Sequence, residues 1–346
     1  MNLKDMNYVI GKNFSVKGRE CNGGSRTLDG YIPIFNATVV EKLENAGAIL
    51  KSQENVCEFE IANDFACETA HDVALGNADF GIGTSNNATL RKASNALRII
   101  GYKPTYGMIS RAGLYPVAST FDTVGIYAPN VKTAALVANE LKGICEDDMN
   151  TWDSSNIDLV KDLENKNKKK FFYIKELANT DFLNELNDKN IEATEESINI
   201  NLINSINLIH NTILSAETTT TLSNLTGIPF GNSEKAKDAD EIMLNFRSKF
   251  GTEVKEKLVI GAYSLSKDNL NKFYYNSLRL RKLLVVELNK LFDKYDALIS
   301  SVDEKCLLIA NLGGYPSVSV NGIVITGKQM SDANILNVAH NLEGGE

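Results

Sequence analysis

Short apolar strands alternate with amphipathic helices along this 346-residue chain, and this alternation limits the folds that it can adopt. Strands are predicted at residues 8–10, 48–50, 78–83, 98–102, 171–174, 297–300, 317–320 and 323–326. Helices are predicted after Asn36 as N-cap and at 66–75, 131–141, 201–214, 268–292 and 332–342. Such alternation is typical of an α/β fold, so we expect a central mixed twisted sheet covered by helices on both faces.

The composition shifts between Cys145 and Lys170, where charged and polar residues dominate. Acidic residues interrupt the lysines of this stretch, so we interpret it as a polar surface excursion rather than a binding patch. The segments on either side continue the same alternation, and no internal repeat is visible. We therefore predict a single domain over residues 1–346.

Charge and composition argue against several function classes. A formal net charge of −8 argues against a broad nucleic-acid surface, so we expect no direct nucleic-acid binding. The first residues do not form a secretory signal, and no apolar run is long enough to span a membrane. The chain is therefore expected to be a soluble cytoplasmic protein with no membrane association.

Candidate metal and cofactor sites are weak in this sequence. The five cysteines contain no C-x-x-C pair, and the three histidines lie far apart, so we expect no metal. Two Gly-rich turns, at 81–83 and 313–314, do not extend to a nucleotide-binding motif. We therefore expect no cofactor.

The most informative stretch runs from Asp79 to Gly125 and reads DFGIGTSNNATLRKASNALRIIGYKPTYGMISRAGLYPVASTFDTVG. A polar loop follows a strand, and a Lys-Pro-Thr-Tyr-Gly turn follows at 103–107. In this turn the proline restricts the backbone and Gly107 permits a positive φ. The stretch resembles the amidase signature family, whose loop G-S-D-T-G-G-S-I-R precedes G-L-K-P-T-Y-G by the same spacing.

The resemblance covers nearly the whole chain, with gaps. Within the family, the chain resembles the A subunits of glutamyl-tRNA(Gln) amidotransferases through residues 31–50, 247–266, 295–300 and 310–320. It implies an amidase-signature-like fold and an ancestral glutamine-hydrolysing activity. The motif positions that match are Gly83, Arg91, Gly101, Lys103, Pro104, Thr105, Tyr106, Gly107, Ser110, Arg111, Gly113, Leu114, Asp122 and Gly125.

The resemblance also implies where the catalytic groups would lie. The family hydrolyses amides with a lysine, a bridging serine and a nucleophilic serine, because serine is a poor nucleophile until a base takes its proton. Aligning the lysine segment on its closing Lys-Gly places the catalytic lysine at Gly11. The bridging serine falls on Phe65 and the nucleophile on Thr89, and the oxyanion-hole glycines become Asn87 and Ala88.

All three catalytic positions are thus altered, and we predict a catalytically inactive pseudoenzyme. Such a chain would be retained as a binding or structural scaffold for a protein similar to the amidotransferase B and C subunits, or for another assembly. In the family's A subunits an arginine binds the glutamine carboxylate, and here Pro229 takes its place in LTGIPFG at 225–231. A buried carboxylate without its cation is strongly disfavoured, so a small-molecule amide substrate is not expected.

An alternative is a residual glutaminase or amidase that acts through Thr89 in a tRNA-dependent amidotransferase, with Lys12 or Lys103 as base. Neighbouring side chains on a strand point to opposite faces, so Lys12 would need a one-residue shift to replace Gly11. A paralogue with no present task is also left open. If Thr89 is not catalytic, its hydroxyl is expected to cap the helix that follows, and Arg91 to tie the loop to the sheet.

Overall fold

The computed structural model describes residues 2–61, 67–161, 163–232 and 236–344. Ten strands form one sheet in the order β2-β1-β3-β5-β4-β9-β10-β8-β6-β7. The strands are β1 (Asn7–Gly11), β2 (Ile49–Glu54), β3 (Phe80–Thr84), β4 (Ile100–Lys103), β5 (Val124–Ala128), β6 (Phe171–Ile174), β7 (Ala193–Glu196), β8 (Ala297–Ser301), β9 (Ser317–Val320) and β10 (Ile323–Thr326).

Eleven α-helices occur in the described part of the chain. They are α1 (Thr38–Asn45), α2 (Glu68–Ala74), α3 (Thr89–Ala96), α4 (Val131–Leu141), α5 (Thr180–Asp188), α6 (Ile200–Leu222), α7 (Ala239–Ser248), α8 (Thr252–Leu265), α9 (Asn276–Phe292), α10 (Glu304–Gly313) and α11 (Asp332–Glu343). Short 3-10 turns occur at Arg26–Leu28, Glu58–Glu60 and Lys175–Leu177, and a π-turn at Asn271–Tyr275 precedes α9. None of these helices is long and apolar enough to cross a membrane.

Side chains from successive strand positions enter two separate hydrophobic cores. On β8, Ala297 and Ile299 belong to the core that also contains residues of α1, α4 and α11. Leu298, between them, belongs to the core formed with α6, α9 and α10. The sheet is therefore apolar on both sides because each side carries a layer of helices. The prediction of a mixed α/β sheet covered on both faces is confirmed.

The order of the strands fixes the position of the candidate site. β1 pairs in parallel with β3, with Tyr8 opposite Phe80 and Ile10 opposite Ile82. Parallel neighbours end at the same edge of a sheet. The end of β1 at Gly11 and the end of β3 at Thr84 therefore lie side by side, although they are far apart in sequence.

Several predicted helix boundaries were wrong. The N-cap of α1 is Ala37, because the Asn36 side chain instead accepts a hydrogen bond from the Lys17 backbone N–H at 2.8 Å. α9 begins at Asn276 rather than near Asp268, since the π-turn precedes it. α10 was not predicted: most of its side chains are buried, so its sequence lacks the polar stripe that marks a surface helix.

The polar stretch at 145–170 forms turns and irregular structure over its described residues, 145–161 and 163–170. It is not wholly solvated, because Leu159 and Leu163 are buried in the core beneath α4 and α11. Asn337 on α11 donates hydrogen bonds to the carbonyls of Leu163 and Asn165, at 2.9 and 2.7 Å. These contacts hold the polar stretch against α11.

Candidate functional site

The loop between β3 and α3, residues 85–88, lies beside the end of β1. This edge holds Gly11 and Thr89, the predicted lysine and nucleophile positions. Phe65, at the predicted bridging-serine position, lies outside the described residues. The structure therefore brings two of the three positions to one edge of the sheet, as the parallel pairing of β1 with β3 requires.

The space beside Gly11 is occupied by neighbouring side chains. A Cβ atom added at this residue would lie 2.5 Å from Asn13 Oδ1 and 2.7 Å from Val56 Cγ1. Both distances are shorter than real Cβ contacts, so no side chain fits without a shift of these neighbours. The position of the predicted catalytic lysine is therefore filled by packing.

The two candidate bases point to other partners. Lys12 Nζ donates a hydrogen bond to Asn55 Oδ1 at 2.8 Å. Lys103 Nζ is buried and donates to the Pro104 carbonyl at 2.9 Å. Burial, followed by the nearby Arg91 charge, lowers the pKa of Lys103 to about 7. Over the described residues, neither lysine is hydrogen-bonded to Thr89.

Thr89 is the first residue of α3, and its hydroxyl does not cap the helix. The N-cap is Ala88, and the Thr89 backbone N–H donates to Asn87 Oδ1 at 2.8 Å. The expected capping role of Thr89 is therefore wrong: the amide of Asn87, two residues earlier, binds the free helix N–H. The Asn87 Nδ2 also donates to the Glu60 carbonyl at 3.3 Å, which holds the loop against residues 58–60.

A cavity of about 30 Å³ adjoins Thr89. It has room for about two water molecules. Glu60 lines it, and burial and the Asp122 charge raise the pKa of Glu60 to about 8. Cys67 also lines it, and burial raises the pKa of this thiol. At neutral pH both groups are mainly protonated, so only a minor fraction of each is in the form that acts as a base or nucleophile.

Sequence reasoning missed Glu60 as a neighbour of Thr89. Phe59 and Glu60 both have a φ of 51°, which is uncommon for residues other than glycine, and this conformation helps to place Glu60 beside the loop. No local sequence signal marks it, because the contact joins segments that only the sheet brings together.

Arg91 ties the loop to α10 rather than to the sheet as expected. Its Nη2 donates to Asn311 Oδ1 at 2.6 Å and to the Asn87 carbonyl at 3.4 Å. Asn311 Nδ2 donates in turn to the Ser85 carbonyl at 2.9 Å. One amide side chain from α10 thus holds both ends of the loop.

The turn at 103–107 is held by a different set of bonds. Asp332, at the start of α11, accepts hydrogen bonds from the Tyr102 hydroxyl at 2.6 Å and from the Thr105 backbone N–H at 2.8 Å. The Thr105 hydroxyl also donates to this carboxylate. Gly107 has a φ of +78°, and a Cβ there would lie 2.2 Å from the Asn150 carbonyl oxygen. These contacts explain why the Lys-Pro-Thr-Tyr-Gly sequence forms this turn.

Leu114 and Tyr115 line an apolar groove of about 500 Å³. None of the described residues that line it is charged. The segment 225–231, which contains Pro229 at the predicted arginine position, contributes Leu225 and Phe230 to its wall. The remaining lining residues are Ser15, Cys21, Leu28, Tyr31, Phe35, Gly113, Pro116, Thr221, Asn224 and Gly231.

Comparison with known proteins identifies the family of this chain. Residues 69–326 match the family model described as Amidase. The chain is 29% identical to the A subunit of the glutamyl-tRNA(Gln) amidotransferase of Mycoplasma pneumoniae, over 93% of this chain and 80% of that protein. It is 28% identical to the corresponding protein from Vesicomyosocius okutanii, over 95% of this chain and 82% of that protein.

The fold also matches solved structures. The crystal structure of the glutamyl-tRNA(Gln) amidotransferase A subunit from Thermotoga maritima superposes with a TM-score of 0.76. The match covers 99% of this chain and 84% of that one, at 22% sequence identity. At this identity the likeness establishes the shared fold, and the chemistry has to be argued from the residues of this chain.

Proposed function

Because the chain belongs to the amidase family, we propose that it is a catalytically inactive member, similar to the amidotransferase A subunits, that acts as a protein-binding scaffold. The observation that carries the proposal is the filled space beside Gly11. A family member without its lysine has no base to activate a hydroxyl nucleophile. Asn13 and Val56 already approach the position that the first side-chain atom of a lysine would take.

The surroundings of Thr89 support the same proposal. Its cavity, about 30 Å³, is too small for the side chain of glutamine. The Glu60 carboxyl beside it has a pKa of about 8, so at pH 7 only about a tenth of it is the carboxylate that could accept a proton. Loss of a nucleophile and base together lowers a rate by roughly six powers of ten.

Ammonia release from glutamine and from an aryl amide tests catalytic inactivity. The wild-type chain and Thr89→Ala are assayed alone and with the B and C subunits of an amidotransferase, beside the Mycoplasma pneumoniae relative as the positive control. We expect no release above background from either form of this chain. Release that disappears in Thr89→Ala would instead support the residual amidase built on Thr89.

The apolar groove supports the scaffold role. Exposed side chains that line it include Phe35, 49% exposed, and Phe230, 61% exposed. Contiguous apolar surface of this kind is rare on proteins that work alone. The relatives of this chain are named as subunits, so we propose that another protein of an amidotransferase-type assembly covers the groove with an apolar, uncharged segment.

Binding to the paired B and C subunits of an amidotransferase, measured by size-exclusion chromatography and biolayer interferometry, tests this interface. Phe35→Asp and Phe230→Asp are expected to weaken binding at least about tenfold, because each places a charge in the desolvated contact. Met149→Asp is the control, since Met149 is 91% exposed and does not line the groove. Equal binding by all variants would refute the interface and leave the question of catalysis untouched.

A further inference from the structure

A groove of about 1000 Å³ is lined mainly by residues 166–170, by the end of α5 with the loop that follows it, and by α11. Glu192 is the one acidic residue among the described residues that line it. Five lysines line this surface, which we call the lysine groove: Lys166, Lys168, Lys169, Lys170 and Lys189. The groove therefore has a formal charge of +4, on a chain whose formal net charge is −8. Positive charge is thus concentrated on one surface of an acidic protein.

The fold holds the lysine groove together from separate segments. The Lys170 backbone N–H donates to Asp296 Oδ2 at 2.8 Å, and the Asp296 N–H donates to the Lys170 carbonyl at 2.8 Å. Asn337 on α11 binds the carbonyl of Asn165 at the other end of the lysine run. Lys189, which follows α5, lines the same groove. The interpretation of 145–170 as a surface excursion rested on the run alone, and the structure adds Lys189 and these anchors.

The ammonium groups of the lysine groove are accessible to a ligand. Four of the five lysines are exposed, and Lys169 is half-buried. Lys168 pairs with Glu192 at 3.4 Å and Lys189 with Glu185 at 3.6 Å. The first pair is almost fully exposed, and exposed ion pairs contribute little to stability, so an anionic ligand can replace the glutamate. Within the described residues, the other three lysines form no ion pair.

The rest of the groove lining is suited to a hydrophilic ligand. Its apolar residues Leu186, Ile191 and Val338 are all buried, so they offer no open apolar pocket. Exposed amide side chains also line it, from Asn167, Asn187, Asn190 and Asn341. Peptide partners commonly bind through apolar anchors in pockets, whereas nucleic acids bind through lysine and amide contacts to phosphate and sugar oxygens. The lining therefore favours a nucleic acid over an acidic peptide.

We propose that the lysine groove binds the phosphate backbone of a single nucleic-acid strand. A lysine that contacts a phosphate releases a condensed counterion, so affinity comes from charge and falls steeply with salt. The amide N–H groups donate to phosphate and sugar oxygens and position the strand without reading its sequence. The net charge argues against a broad nucleic-acid surface, and this site is one groove on an acidic chain. It shares no lining residue with the apolar groove or the Thr89 cavity, so it is independent of the scaffold proposal.

Fluorescence anisotropy with fluorescein-labelled oligouridylate and oligothymidylate of about 12 nucleotides tests the proposal and distinguishes RNA from DNA. For the wild-type chain we expect a Kd of roughly 10 to 100 μM, and a slope of log Kd against log salt of about 3 between roughly 50 and 200 mM sodium chloride. The triple variant Lys166→Gln, Lys168→Gln, Lys170→Gln should weaken binding at least about tenfold and lower the slope by about 2. Lys189→Gln should weaken binding about threefold, because it removes one phosphate contact.

The matched control is the triple variant Lys17→Gln, Lys267→Gln, Lys272→Gln, which removes the same charge from exposed lysines outside the groove. It should keep the wild-type affinity and slope. Equal losses in the two triple variants would show that only net charge matters and would overturn the proposal, as would a wild-type chain that binds neither oligonucleotide.

Two further outcomes would also overturn the proposal. Wild-type affinity in Lys189→Gln would show that the lysine run acts without the groove. An unlabelled acidic peptide of the same net charge is expected to displace the oligonucleotide much less well, because it lacks phosphate and sugar oxygens for the lysines and amides. Equal displacement would assign the lysine groove to an acidic protein segment instead.

Discussion

The turn at 103–107 and the loop at 84–89 both belong to the stretch that resembles the amidase signature, yet they differ in what their residues do. In the turn, Thr105 keeps the family residue and hydrogen-bonds to the buried Asp332. In the loop, the family's reactive residues are replaced, and Asn87 and Thr89 form local helix-end contacts. The difference indicates that the motif residues this chain retains are those that hold the sheet and helices together.

Removing the centre of the turn should have the largest effect. Asp332→Ala leaves the Tyr102 hydroxyl and the Thr105 donors unpaired in the core, so we expect a loss of about 3 to 5 kcal/mol in the free energy of unfolding. Urea denaturation measures it. The control, exposed Asp188→Ala, should change stability by less than about 0.5 kcal/mol. If Asp332→Ala also loses less than about 0.5 kcal/mol in the free energy of unfolding, the turn contributes no more to stability than the loop does.

Adding a side chain at Gly11 should have the next largest effect. Gly11→Ala forces Asn13 or Val56 to move, so we expect it to cost about 1 to 3 kcal/mol. The φ of Gly11 is not positive, so the cost reports packing rather than backbone strain. In the double variant with Val56→Ala, part of this loss should be recovered in the same denaturation assay. If Gly11→Ala leaves the free energy of unfolding unchanged, the space beside Gly11 is open rather than packed.

The Glu60 carboxyl should make the loop region sensitive to pH. Its pKa in the folded chain, about 8, is above its ordinary value, so the folded state binds the proton more tightly than the unfolded state. Stability should therefore fall as pH rises from about 4.5 to 8, with a slope of up to about 1.4 kcal/mol per pH unit. Asp122, with a pKa of about 6, contributes in the lower part of this range.

Glu60→Gln removes the titrating group, and urea midpoints measured across this pH range should then fall less steeply. Exposed Glu41→Gln serves as the control and should leave the wild-type slope unchanged. If Glu60→Gln and wild type share one slope, Glu60 is not desolvated beside Thr89.

The smallest effect is expected at Thr89 itself. Thr89→Ala should change the free energy of unfolding by less than about 0.5 kcal/mol, because its hydroxyl does not cap α3. Asn87→Ala removes the side chain that accepts the Thr89 N–H and should cost about 1 kcal/mol. Thermal unfolding compares the pair. If Thr89→Ala lowers stability more than Asn87→Ala does, the Thr89 hydroxyl caps α3.

The sequence predicted parts of the fold and of the candidate site to different extents. The strands at 171–174, 317–320 and 323–326 were predicted to the residue, since runs of apolar and β-branched residues mark strands locally. α10 was missed, because a largely buried helix has no amphipathic pattern. The prediction that 1–346 forms a single domain, and the assignment of Phe65, stay predictions.

Residue identity alone establishes which chemical groups this protein can use: Gly11 has no amine to offer, and Pro229 has no guanidinium. Side-chain chemistry is a property of each residue, and it needs no knowledge of the fold. Only the folded chain shows what replaced those groups. The pairing of β1 with β2 places Val56 beside Gly11, and the fold brings Asn311 to Arg91 across 220 residues. Contacts between distant segments depend on that order, which local sequence patterns do not encode.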